Sequence, residues 1–142
     1  MKHLSQRLLL CYKGDISALV LFAQHGNGSI CFPQPLPALS VVLEQKDTRS
    51  KVTPHPAMLL PSINQLLQLD NDLLQIETGF SEQINSADGT ITVHLARFQL
   101  LDPPHKRLQS RDCKLRTLPE LRHQPAAEMD ILRRAYQYLM EG

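Results

Sequence analysis

Tryptophan is absent from the 142 residues, and aromatic side chains make up only 5% of them. That leaves few platforms on which bases or sugars could stack. No apolar run approaches the roughly 20 residues of a membrane-spanning helix. Lys2, His3 and Arg7 precede Leu8-Leu9-Leu10-Cys11, a superficial likeness to a bacterial lipoprotein signal. The apolar region before that cysteine is about three residues, against roughly 7–15 in a signal peptide. The expectation is an untargeted, cytoplasmic protein with no membrane partner.

Cysteine is scarce and unpaired in pattern. Cys11, Cys31 and Cys113 are an odd number without Cys-x-x-Cys spacing, and the first two sit in apolar runs. Buried free thiols follow, rather than a disulfide framework or a metal knuckle. Net charge is only +1, and 42% of residues are hydrophobic, which excludes wholesale disorder and a generally basic, nucleic-acid-like chain. There is no Gly-x-Ser-x-Gly nucleophile elbow, and Gly26-Asn27-Gly28-Ser29 lacks the lysine and spacing of a phosphate loop. The six histidines are scattered. No catalytic residue, metal site or cofactor is expected.

What is present is a well-punctuated single domain over residues 1–142. Apolar runs at 8–12 and 18–23, separated by Lys13-Gly14-Asp15, read as a hairpin. His25-Gly26-Asn27-Gly28 gives a second turn before Ile30-Cys31-Phe32, so the N-terminal third reads as an antiparallel meander covered on both faces. Residues 39–43 predict a further strand, and the polar stretch from Lys46 to Pro56 a loop. Ser62, with Gln65 three residues on, makes a capping-box pattern. Ile63, Leu66, Leu67, Leu73 and Leu74 then form a helical stripe ending at Gly79. Asp70-Asn71-Asp72 interrupts it, so one bent helix and two short ones both fit.

Asp88-Gly89 predicts a hairpin turn, and residues 90–100 alternate as a strand. Ile91, Val93 and Leu95 share one face; Thr92, His94, Ala96 and Phe98 share the other. Residues 113–117 predict a short strand. Pro125 suits the start of a closing helix whose apolar positions run from Met129 to Met140. The fold class is therefore α+β: an antiparallel sheet with a central helix and a C-terminal helix packed on it.

Charge is uneven along the chain. Residues 62–102 hold six acids and one base, Arg97, whereas 105–134 hold eight Lys/Arg and four acids. The two halves complement each other within the fold, or the basic one is a partner surface. Residues 63–79 echo a helix-turn-helix, but its second helix would carry Asp70, Asp72 and Glu77 and no base. Such a helix repels the phosphates that dominate DNA affinity, so no nucleic acid is expected.

Three polar residues stand out as candidate ligand-binding groups: Glu77, His94 and Arg97. In layout the second half resembles a Nudix domain, with Leu74, Glu77, Gly79 and Phe80 at positions of the Nudix box. Asp72 stands where that box has its arginine, Leu73 and Ile76 where it has metal-binding glutamates, Asn64 at its upstream glutamate and Met58 at its opening glycine. The resemblance implies a nucleotide- or phosphate-binding domain that has lost the ligands for Mg²⁺, with little or no hydrolase activity. The pattern of residues 77–140 (Glu77-Thr-Gly-Phe80, Thr92 to Phe98, Asp102-Pro-Pro104, Leu132 to Tyr136) is also similar to small bacterial proteins of unassigned function. That likeness implies no activity. The leading expectation is a non-catalytic accessory or protein-interaction domain, its partner another protein or a second copy across an open sheet edge.

Overall fold

A computed structural model describes residues 5–15, 18–44, 55–87 and 89–141. Six strands form one sheet: β1 (Gln6–Lys13), β2 (Val20–His25), β3 (Val41–Val42), β4 (Leu74–Ser86), β5 (Gly89–Phe98) and β6 (Cys113–Arg116). Their spatial order is β3-β4-β5-β1-β2-β6. Three helices accompany them: α1 (Leu60–Leu67), α2 (His105–Gln109) and α3 (Ala126–Glu141).

The sheet is mixed, which corrects the antiparallel expectation. β1 runs parallel to β5, with Gln6 opposite Thr92 and Cys11 opposite Arg97. The physical reason lies in burial. Leu8, Leu9, Leu10 and Cys11 are all fully buried, and a strand apolar on both faces belongs in the middle of a sheet, where both of its edges must be paired. The β1–β2 hairpin supplies one neighbour, with Lys13 opposite Val20. The long β5 supplies the other.

The predicted meander stops after two strands. Phe32 makes only an isolated bridge to Leu8, through Leu8 N–H to Phe32 O at 2.8 Å and Phe32 N–H to Leu8 O at 2.9 Å. β6 takes the place beside β2 instead. The strand predicted at 39–43 shortens to Val41–Val42. The predicted loop at 46–56 lies outside the described residues as far as position 54.

The larger correction falls on residues 60–79. α1 begins at Leu60, with Ser62 inside its first turn rather than capping it, and no side chain caps that end. The helix stops at Gln68, whose φ is +51°, not at Gly79. Residues 74–79 form the start of β4, so neither the bent helix nor a second short helix exists. The cause is pairing: Leu74 lies opposite Phe98 and Glu77 opposite Leu95, and Ile76 and Thr78 are β-branched residues that suit a strand.

Gly79 sits in a break of register between Glu77 and Ser81. A Cβ there would stand 2.8 Å from Tyr138 Oη, so close approach of the helix sets this glycine. The β4–β5 hairpin forms as expected, with Ser86 opposite Gly89 at φ +109°; Asp88 lies outside the described residues. β6 and the closing helix also form where the periodicity placed them.

Alternation along β5 divides the interior. Val93 and Leu95 join Leu9, Phe22 and Ile84 under α3, where Ile131, Leu132, Ala135 and Leu139 pack against the sheet. Ala96 and Phe98 join Leu8, Leu10 and Phe32 on the opposite face, covered by Ile63 and Leu67 of α1 and Leu108 of α2. The result is three layers. Among the described residues no helix is long and apolar enough to cross a membrane.

All three cysteines are free and buried. Burial, helped by the Glu77 charge and opposed by Arg97, pushes the Cys11 thiol from 9.0 up to about 12. Cys113 also rises to about 12, through burial and then Asp112, and Cys31 is raised by burial and Glu128. The unfolded chain ionises these thiols above about pH 9 while the folded chain keeps them protonated. This contribution to stability is therefore fully present below about pH 9 and is lost as pH rises towards 12. Denaturant unfolding from pH 7 to 11 should show the midpoint falling from pH 9 onward. A flat midpoint to pH 11 would contradict the burial of the thiols.

Candidate functional site

Of the three sequence-predicted residues, the sheet brings two together and turns the third away. Glu77 and Arg97 share the α3 side, because Glu77 lies opposite Leu95 and Arg97 follows two residues on. Arg97 Nη1 is 4.0 Å from Glu77 Oε1, and its Nη2 is 3.3 Å from Asp15 Oδ1 and donates to Lys13 O at 3.3 Å. His94 lies opposite Ser81 and points to the α1 side. The three do not form one site.

The Glu77–Arg97 neighbourhood is built by ends of elements. Lys13 closes β1 and donates from Nζ to Leu139 O at 2.6 Å, satisfying a carbonyl of the last helical turn of α3, where a cation also suits the helix dipole. Tyr138 donates to Glu77 Oε2 at 3.5 Å and packs edge-on against Phe80 at 5.7 Å. Partial burial and the Glu77 charge raise the Tyr138 phenol above its ordinary 10.0. A shallow hollow of about 230 Å³ lies beside Lys13, Asp15, Arg97 and Leu101.

Every charge here already has a partner, and the arrangement ties β1, β4, β5 and α3 at one end of the sheet. Arg97 and Glu77 are about a quarter exposed, so water screens their attraction. Arg97→Met is accordingly expected to change unfolding free energy by no more than about 1 kcal/mol, measured by urea titration. A loss of several kcal/mol would show a buried, structurally indispensable pair instead.

The charge asymmetry is partly complementary within the fold. Arg107 reaches Asp70 at 3.5 Å, and Arg134 reaches Glu82 at 2.8 Å and Glu44 at 3.0 Å. Among the described residues no three His, Cys, Asp or Glu side chains gather as a metal site. Of the residues set against the Nudix box, Asn64 lies on α1, and Leu74, Ile76, Glu77, Gly79 and Phe80 lie on β4.

A further concavity lies elsewhere. A groove of about 530 Å³ runs between residues 36–41 and residues 125–128, the start of α3. Its wall carries Leu39, 94% exposed with φ +64°, and Val41, 61% exposed. A non-glycine residue in the left-handed region costs about 1–2 kcal/mol. Among the described residues, β3 beside it is the last strand on that side of the sheet. Leu43 N–H donates to Gln83 O at 2.8 Å, and Val42 is buried in the cluster beneath α3.

Two buried polar arrangements hold this groove in shape. Arg7, 3% exposed, donates from Nε to Gln34 O at 2.9 Å and from Nη2 to Pro35 O at 3.3 Å, fixing the chain just ahead of the 36–41 wall. On the helix side Glu128, 5% exposed, accepts from Ser29 Oγ at 2.9 Å and from Gln124 Nε2 at 2.7 Å. Gln124 Nε2 also reaches Gly28 O at 2.6 Å, and Ser29 Oγ accepts from Cys31 N–H at 3.0 Å.

Sequence reasoning passed over this surface. Pro35-Leu36-Pro37 reads only as a break in pattern, and nothing in a linear sequence shows that it faces the start of α3. The one available signal was local: apolar Leu39 and Val41 follow Pro35 and Pro37 within a few residues, in a stretch that reads simply as a further strand. No family model matches the chain, and a search of curated proteins found no match.

Proposed function

We propose that this chain is a non-catalytic protein-interaction domain that binds an extended apolar segment of another polypeptide through the 36–41/125–128 groove. The observation that carries the reading is the pairing of an apolar groove with a strained, almost fully exposed Leu39 on its wall. Contiguous apolar surface of this kind marks binding sites. A small-molecule site of this volume would also need several polar groups converging on the ligand. The groove's polar side chains are Ser40, which donates to Pro37 O, and Glu128, which is held by Ser29 and Gln124.

The competing nucleotide- or phosphate-binding reading rests on Glu77, His94 and Arg97. Glu77 and Arg97 neutralise each other, and His94 lies across the sheet from them. Thermal unfolding against nucleotides, sugar phosphates, Mg²⁺ and Mn²⁺ separates the two. A ligand at about 100 times its dissociation constant adds roughly 2.7 kcal/mol, or about 5–10 °C for a chain of this size. No shift is expected from any of them. A reproducible rise that Arg97→Met abolishes would overturn the interaction reading in favour of a phosphate site.

A further inference from the structure

We infer that the segment received by the groove carries a lysine, its carbon stem against the apolar wall and its ammonium paired with Glu128. This rests on the interaction reading above and adds the chemistry of the partner. The first ground is an unbalanced charge. Glu128 is the one ionisable residue among the ten that line the groove. Its donors are the neutral Ser29 Oγ at 2.9 Å and Gln124 Nε2 at 2.7 Å. Among the described residues no Lys, Arg or His forms an ion pair or hydrogen bond with it. Other acids of this face differ: Glu44 and Glu82 are held by Arg134, Asp130 by Arg133 and Glu120 by Arg116.

Glu128 is 5% exposed, so water solvates it poorly, and a buried charge is normally paired. The start of α3 offsets that charge by only about half a unit. A cation brought in by the partner supplies the rest. The second ground is the wall. Leu36, Pro37, Leu39 and Val41 set apolar surface beside this single acid. A lysine matches both, since its carbon stem buries on apolar surface while its head seeks charge. Arginine fits less well. Ser29 occupies one acceptor site on Oε2 and Gln124 one on Oε1. A guanidinium favours both oxygens at once, whereas an ammonium needs only one. An acidic segment would meet Glu128 as a like charge.

The test uses a short, end-blocked peptide of valine, leucine and serine whose central residue is norleucine, lysine or glutamate. Affinities are read by fluorescence anisotropy at physiological ionic strength. The lysine peptide should bind the wild type about tenfold or more tighter than the norleucine one, and the glutamate peptide weakest. Glu128→Gln, folded by circular dichroism, keeps an acceptor oxygen and should bind the lysine and norleucine peptides alike. Asp72→Asn removes an exposed acid that does not line the groove and should leave the lysine preference intact.

Equal binding of the lysine and norleucine peptides by the wild type overturns the inference and leaves the interaction reading standing. That comparison decides the matter even where Glu128→Gln does not fold. A lysine preference that survives in folded Glu128→Gln, or that Asp72→Asn abolishes, also overturns the inference, because the selecting charge then lies elsewhere. Failure of all three peptides to bind the wild type removes both readings.

Discussion

Leu95→Ala is expected to cost about 2–5 kcal/mol of folding free energy, the range for removing a fully buried leucine from a core that relaxes only in part. Leu95 has no exposed surface and lies on β5, between β4 and β1, in the cluster beneath α3. At about 2–4 °C per kcal/mol for a chain of this length, the thermal midpoint should fall by about 5–20 °C. Met58→Ala makes the control, because Met58 is 70% exposed and an exposed substitution usually stays within about 0.5 kcal/mol. Equal effects from the two would contradict the central place of β5.

The second large effect is expected from Glu128→Leu, at about 2–4 kcal/mol. The substitution leaves Ser29 Oγ–H, in a buried residue, without its acceptor and removes one acceptor of Gln124. Each buried polar group so stranded costs about 1–3 kcal/mol. It also deletes a carboxylate from the first turn of α3, where negative charge favours the helix dipole by about 0.3–1 kcal/mol. Glu128→Gln keeps an acceptor oxygen and should cost less. Ser29→Ala removes the stranded hydroxyl, so in the Glu128→Leu background it should cost less than it does alone. Chemical denaturation of the four proteins in this cycle measures that coupling, and strictly additive losses would show that Ser29 and Glu128 do not act as a pair. Because Ser29 and Glu128 fix the helix side of the groove, losing them should also loosen the binding surface.

What could be read from the sequence was what depends on neighbours along the chain. The alternation of residues 91–98 identified β5 and divided its faces correctly, since a strand's two-residue period is written directly in its side chains. The β1–β2 hairpin was legible from the Gly-Asp turn between two apolar runs, and α3 from its helical spacing. The parallel pairing of β1 with β5 was not, because it joins residues more than eighty positions apart and depends on which strands compete for the sheet's centre. Residues 73–79 were misread as helix because Leu73 and Leu74 happen to continue the spacing of Ile63, Leu66 and Leu67. Pairing with β5 outweighs that periodicity.

The candidate site was legible only in fragments. Glu77 and Arg97 come together as their polarity suggested, but as members of a structural ion-pair group with Asp15. His94 parted from them because it occupies the opposite parity on the same strand. The groove needed the three-dimensional fold, since its two walls are separated by almost ninety residues and one of them is irregular chain. Its strongest mark, a leucine at positive φ, is a property of the backbone that no side-chain pattern announces.

The most direct measurement is backbone amide exchange of the wild-type protein, read at residues 36–41 and 125–128, alone and with an excess of a short, uncharged apolar peptide. Protection that rises at these positions with the peptide, and not along α2 or β6, is the expected result. Exchange that is identical with and without it along the groove, or protection that rises somewhere else on the surface, would contradict the assignment of this groove as a polypeptide-binding surface.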